Sequence, residues 1–375
     1  MPPVVDPTDL YSETHTPAQI APSVRGDLER IYVPNLRSDD VSVIDPGTMK
    51  VIDRFKVGRG PQHVVPAWNL RTLWVANNAE RTEAGSLTPI DPRTGKPGAA
   101  IPVDDPYNLY FTPDGKSAIV VAEARHRLDL RDPQTMALQS SIEVPGCAGI
   151  NHGEFSIDGR YAIFTCEFDG TIAKIDFTRR AVVGYLKLKM PTTRYRAVPP
   201  GPGGLPTEIC SVTKGMPQDV RVSPDGRRFF VADMEADGVH VIDGASFKEV
   251  GFIATGVGTH GMYPSRDGKR LYVANRGSHA VHGTRKGPGS VAVIDFATEQ
   301  VVARWQVPGG GSPDMGNVSA DGRYLWLSGR FDDVVYRFDT TNGAVQQIAV
   351  GREPHGLTVW PQPGRYSLGH TGNLR

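Results

Sequence analysis

The sequence predicts an all-β fold, a seven-bladed β-propeller of four-stranded antiparallel blades, and three observations carry that expectation. First, a hydrophobic residue followed by Asp recurs along the chain, as Ile44-Asp45, Ile90-Asp91, Ile175-Asp176, Ile242-Asp243, Ile294-Asp295 and Phe338-Asp339, with Arg131-Asp132 as a degenerate copy. Second, the stretch that opens at Gly215 holds four short strand-like runs, at 219–222, 228–232, 238–242 and 247–253, and the turn Ser223-Pro224-Asp225-Gly226 separates the first two. Four antiparallel strands in about forty residues describe one blade and leave no room for a helix. Third, 42 Gly and 31 Pro suit a chain that turns every few residues and not a helical one.

Taken in order, the landmarks lie 46, 41, 44, 67, 52 and 44 residues apart, so two intervals carry insertions. These are residues 191–214, rich in Pro and Gly, and residues 276–289, between the second and third strands of their blade; both are expected to be loops. Residues 30–33, 41–44 and 51–57 read as strands with no inner strand before them, whereas residues 356–360 read as an inner strand with no blade after it. One blade is therefore built from both ends of the chain. Closure of the ring removes open sheet edges and suits a monomer. Residues 1–28 show no strand pattern and form an N-terminal extension; residues 29–375 form the propeller.

Composition narrows the partners. Equal counts of basic and acidic residues, 41 each, give no reason to expect nucleic acid or an anionic membrane. No apolar run reaches the roughly 18 residues needed to span a bilayer, and the first residues show neither a basic nor an apolar signal region. The expected location is cytoplasmic. Cys147, Cys166 and Cys210 lack CxxC spacing and are expected to be isolated thiols, with Cys147 and Cys210 both near one mouth of the ring.

The runs Ile31-Tyr32-Val33-Pro34-Asn35, Leu73-Trp74-Val75-Ala76-Asn77 and Leu271-Tyr272-Val273-Ala274-Asn275 resemble the YVTN-type β-propeller repeat, over most of residues 29–360. Asn151-His152-Gly153-Glu154-Phe155-Ser156-Ile157-Asp158-Gly159 also resembles the haem d1-binding propeller of cytochrome cd1 nitrite reductase and its relatives. The first resemblance implies fold and leaves function open, because propellers host many chemistries. The second implies a haem d1-like tetrapyrrole as one cofactor to weigh, although no CxxCH attachment site is present.

Functional residues are sought where blades differ from their own consensus. The first residues of each inner strand lie at the channel mouth, and there the sequence places His63, His152, His260 and His355, together with Asp219 and Asp314. Three of these histidines precede Gly. Rotational pseudosymmetry brings such residues together, and neutral imidazoles with a carboxylate suit a transition metal with an open coordination position. The expected ligands are His63, His152, His260, His355 and Asp314. The expected metal is a divalent transition ion, with Fe or Cu favoured over Zn or Mn. The competing reading is a hydrated polar ring that bonds the inner-strand backbone.

Asp219, Glu123 and Glu167 are candidate catalytic groups or partners of ligating imidazoles. Tyr195, with Arg194 and Arg196, is the chemically useful part of the 191–214 insertion, expected to cover the channel as a lid. Arg276, Arg285, Lys286 and Arg330 are candidates for an anionic substrate at the rim. His279 and His282 are candidates for a weak surface site, and His370, in the C-terminal tail, for a further ligand. No GxSxG, GxxxxGK[ST] or HExxH motif competes. The expected function is a metal-dependent oxidoreductase on a small organic molecule. One alternative is a metal-dependent lyase or hydrolase resembling streptogramin lyase, another seven-bladed propeller. The other is a non-catalytic binder of a tetrapyrrole or a protein.

Overall fold

In a computed structural model, which describes residues 4–80, 84–191, 214–282, 287–370 and 373–375, seven antiparallel sheets surround one channel. The inner strands of blades 1 to 6 are Pro61–Pro66, Pro106–Phe111, Ile150–Phe155, Pro217–Val222, Thr259–Pro264 and Pro313–Val318. Blade 7 joins Thr358–Trp360 to Arg30–Asn35, Asp40–Asp45 and Lys50–Lys56, with Ile31 opposite Val359. The ring thus closes through both ends of the chain, as the unpaired strands require. Blade 1 alone has its outer edge in two pieces, Lys96–Pro97 and Ile101–Pro102.

The repeated Asp has a local cause. After each third strand its carboxylate accepts a backbone N–H two or three residues on, as at Gly47 (2.9 Å), Arg93 (2.9 Å), Thr178 (2.8 Å), Ser246 (2.9 Å) and Thr298 (2.8 Å). Such an Asx turn replaces a backbone bond and holds the tight return to the outer strand. The Asp-Gly turns between first and second strands work the same way, with Asp225 accepting from Arg227 N–H at 3.1 Å and Gly226 at φ +71°. Inner strands are buried along their length, apart from a half-buried Pro264, and outer strands are mostly half-buried or exposed. Hydrophobic clusters therefore lie between neighbouring blades, such as Phe230, Val239, Val241, Met262, Leu271 and Ile294 between blades 4 and 5.

The extension at 4–28 packs against the ring. Tyr11 donates its hydroxyl to Val222 O at 2.7 Å, and Trp360 Nε1 donates to Asp27 at 2.8 Å. Cys147 and Cys166 are joined by a disulfide, which corrects the expectation of isolated thiols: Cys147 lies just before the blade 3 inner strand, and Cys166 is paired with the first residue of that strand, Ile150. Cys210 lies outside the described residues. After Trp360 the chain turns back into the channel, where Leu368 O accepts from Phe111 N–H and His370 N–H donates to Leu109 O, both at 3.0 Å. Arg375 bonds Glu154 at 2.9 Å and anchors this tail. Among the described residues no helix is long and apolar enough to cross a membrane.

Candidate metal centre and substrate pocket

Each inner strand begins with a one-residue bulge, and that bulge decides where its side chains point. The first paired residues are Pro61, Ile150, Pro217, Thr259 and Pro313, opposite Asn77, Cys166, Asp233, Asn275 and Gly329. Counting from them, the next residues form an outer row at the mouth: Gln62, Tyr107, Asn151, Gln218, His260, Asp314 and His355. The residues after those form an inner row: His63, Asn108, His152, Asp219, Gly261, Met315 and Gly356. The four predicted histidines thus fall in two rows and not one, because one residue of register moves a strand side chain to a different position.

In the outer row Asp314 is fully buried and organises its neighbours. Its Oδ1 accepts from Arg276 Nε (3.1 Å) and Nη2 (3.0 Å) and lies 2.8 Å from His260 Nδ1, while its Oδ2 accepts from His355 Nδ1 at 2.8 Å. Burial alone raises a carboxyl pKa, yet Arg276 and the two imidazoles hold Asp314 well below the usual range. Arg276 Nη2 also donates to His260 Nε2 at 2.6 Å. Burial, and then the Arg276 charge, push His260 down to about 4, so it is neutral. His260 Nε2 and both oxygens of Asp314 are therefore taken up within the protein, while His260 Nδ1, 2.8 Å from Asp314 Oδ1, has no hydrogen-bond partner. His355 keeps Nε2 free of them, 3.5 Å from Tyr107 Oη.

The inner row also holds imidazoles with unpartnered nitrogens. Neither ring nitrogen of His63 has a hydrogen-bond partner, nor does His152 Nε2. His370, delivered by the tail, has its Nε2 3.3 Å from Asp219 Oδ1. His152, His370 and Asp219 each offer one ligand atom, all within 4.8 Å of one another. The His63 ring centroid is 5.3 Å from that of His152 and 5.4 Å from that of His370. Burial first, then neighbouring imidazoles, hold His63 and His152 well below the usual histidine range, so both are neutral.

Two supporting residues shape this floor. Asn108 Oδ1 accepts from Leu109 N–H at 2.8 Å, which turns its amide nitrogen toward Nδ1 of His152 (3.2 Å) and of His370 (3.1 Å). Asp219 already accepts from Val220 N–H (2.9 Å), Met262 N–H (2.8 Å) and Arg221 (3.1 Å), which suits it to holding His370 more than to catalysis. The glycines after the histidines serve packing. A Cβ on Gly356 would stand 2.0 Å from His63 Nδ1, one on Gly261 2.5 Å from Asp314 O, and one on Gly153 2.5 Å from the Phe164 ring.

Above the floor opens a pocket of about 400 Å³ lined by Gln62, Tyr107, His260, His355, Glu123, Glu167, Arg276 and Arg330. Glu123, Glu167, Arg276 and Arg330 share one place in the repeat, the residue after the second strand, and the true counterparts of Asn77 and Asn275 are Ala122 and Cys166. Glu123 and Glu167 stand together in the wall of this pocket. Burial and then the Glu167 charge push Glu123 well above the usual carboxyl range, so the pair holds a proton. Glu167 also accepts from Asn151 (2.7 Å) and Gln218 (3.1 Å).

Tyr195, Arg194, Arg196, Arg285 and Lys286 lie outside the described residues, as does the proposed lid apart from Pro191 and Lys214. His279 and His282 face separate carboxylates, Asp237 at 2.8 Å and Glu80 at 3.3 Å, and do not form a pair. Sequence reasoning left His370 undecided, because its position depends on a tail that folds back.

Among known proteins, a family profile described as YNCE-like β-propeller matches residues 210–363. The fold is a seven-bladed β-propeller. Among solved structures the propeller is similar to hydrazine synthase of Kuenenia stuttgartiensis, at 21% identity over 76% of this chain and 79% of that one, with a TM-score of 0.57. It is also similar to the dihydro-heme d1 dehydrogenase NirN, solved in complex with DHE, at 16% identity over 88% and 75% of the two chains and a TM-score of 0.57. A functionally unknown protein from Desulfotomaculum acetoxidans shares 13% identity over 88% and 98%, with a TM-score of 0.63. No curated protein matches in sequence. At these identities the likeness is one of fold.

Proposed function

We propose that the propeller is a metal-dependent enzyme acting on a small organic molecule in the mouth pocket. The observation that carries this reading is the convergence of His152, His370 and Asp219, whose ligand atoms lie within 4.8 Å of one another beneath that pocket, with the unpartnered His63 ring beside them. Buried polar atoms without partners are costly, and a cation that accepts their lone pairs removes the cost. His152, His370 and Asp219 would hold the ion, with His63 as a further imidazole beside them. An iron or copper ion so held supplies redox chemistry, and three protein ligands leave positions open. Asn108 must then turn its amide so that Oδ1 accepts from Nδ1–H of His152 and His370, the outer support that ligating histidines require.

The chain's own groups divide the remaining work. His355 and Tyr107 stand between pocket and floor, with Asp314 fixing the His355 ring. The Glu123–Glu167 pair gives the pocket a group that can deliver or accept a proton. That pair favours a second reading, a lyase or hydrolase in which acid–base chemistry leads and the ion assists. A tetrapyrrole fits less well: the pocket turns Glu80, Glu123, Glu167, Arg276 and Arg330 toward where an apolar macrocycle would lie. The Cys147–Cys166 disulfide favours an oxidising compartment over the cytoplasm.

Elemental analysis of the native protein and of single variants tests the proposal. Near-stoichiometric metal is expected in the wild type and in His260→Ala, with a sharp loss in His152→Ala and His370→Ala. Full occupancy in the last two variants, or no metal in the wild type after reconstitution, contradicts it.

A further inference from the structure

Arg276 and Arg330 occupy equivalent places in blades 5 and 6, and the structure treats them differently. The Arg276 guanidinium is neutralised by Asp314 and donates to His260 and to Ala280 O as well. Arg330 is 3% exposed, yet among the described residues its guanidinium has no ion-pair partner within 4.0 Å. Its Nε makes no hydrogen bond, and Nη1 makes one long contact of 3.4 Å with Gln62 Oε1. The acids near it make their direct contacts elsewhere, Glu353 with Arg37 at 2.6 Å and Glu80 with Arg37 at 3.1 Å, although the Arg330 charge does help to lower the Glu353 pKa. After burial itself, the Arg330 charge is the strongest influence lowering the His355 pKa, so the guanidinium faces the partition between pocket and floor.

A buried guanidinium with no carboxylate in direct contact is unfavourable unless a ligand brings one. Its planar fork matches a carboxylate in two parallel bonds. One free cation, with Glu167, Glu80 and Asp105 around the same pocket, suits a single negative charge and disfavours a phosphate dianion. The rest of the pocket offers Phe168, Val281 and Ala124 to an organic body. We infer that Arg330 is the binding residue for the carboxylate of a small organic acid, which makes the substrate class of this site monocarboxylates. The inference rests on the mouth pocket being the substrate site, and it does not need the metal.

The experiment uses the full chain, as purified and after chelation, at constant ionic strength. Propionate, its neutral analogue propionamide and inorganic phosphate are each titrated by calorimetry. Propionate is expected to bind the chelated protein saturably, propionamide not at all, and phosphate more weakly. Arg330→Met should weaken propionate at least tenfold while its metal content and its melting temperature without ligand stay at or above those of the wild type, because an unpaired buried charge has been removed. Arg330→Lys, which keeps the charge and loses the fork, should fall between. Equal propionate binding by Arg330→Met and wild type overturns the assignment, as does binding that appears only in the metal-loaded protein, or a preference for propionamide or phosphate. A wild type that carries no metal as purified and takes up none on reconstitution, yet binds propionate through Arg330, would sink the metal centre and leave this site standing.

Discussion

Removing Asp314 is the sharpest test of how the mouth is held. The carboxylate is buried and satisfies Arg276 twice, at 3.0 and 3.1 Å, along with His260 and His355 at 2.8 Å each. Asp314→Ala leaves the Arg276 guanidinium buried without its counter-ion, and breaking such a pair from one side costs about 3–5 kcal/mol. At roughly 2.1 cal/mol/K per residue, a chain of this length unfolds with an entropy of roughly 0.8 kcal/mol/K, so the melting temperature should fall by about 4–6 °C. Adding Arg276→Met to Asp314→Ala removes the stranded charge, and the double variant should recover much of the loss. Thermal unfolding of the wild type, both singles and the double at pH 7 completes the cycle. A drop below about 1 °C for Asp314→Ala, or strict additivity in the double variant, refutes the network described here.

Three further outcomes follow from particular contacts. Gly356→Ala alters no ligand, but its methyl group would meet the His63 ring, so metal content should fall sharply in elemental analysis; unchanged content removes His63 from the centre. His240 lies between Asp233 (3.4 Å) and Glu249 (3.1 Å); burial opposes its charge, but these acids win and raise its pKa to about 9. Its contribution, on the order of 3 kcal/mol, is complete below the unfolded histidine value near 6.5 and is lost as pH rises through 9. The melting-temperature gap between wild type and His240→Gln should therefore narrow from pH 6 to pH 10, and a constant gap contradicts the pairing. Replacing Cys147 and Cys166 by Ser should cost about 2–4 kcal/mol in denaturant unfolding, with no effect if the bond does not form.

The fold was legible because its signals are local. The landmark Asp caps its own turn, Asp-Gly sets the hairpin, and the alternation of each strand reports its own burial, so seven blades and their closure could be counted without knowing any long-range contact. The site was legible only as a neighbourhood. His152 and His260 both precede Gly, yet the bulge sets His152 in the inner row with His63 and His260 in the outer row with His355, and bulge phase has no mark in the sequence. Glu123 and Glu167 share their place in the repeat with Arg276 and Arg330, an equivalence that appears only once the ends of the second strands are fixed. The roles of Asp314 and Arg276 depend on a contact across 38 residues, and His370 on one that joins the tail to blades 2, 3 and 4.

The central claim is an ion on the channel floor, and anomalous-difference crystallography at the absorption edge of whichever metal the purified protein carries tests it most directly. The account predicts one strong peak bounded by His152, His370 and Asp219, with His63 beside it and the Asn108 amide turned toward the Nδ1 atoms of both His152 and His370. No peak, or a peak at the mouth between His260 and His355, would contradict it.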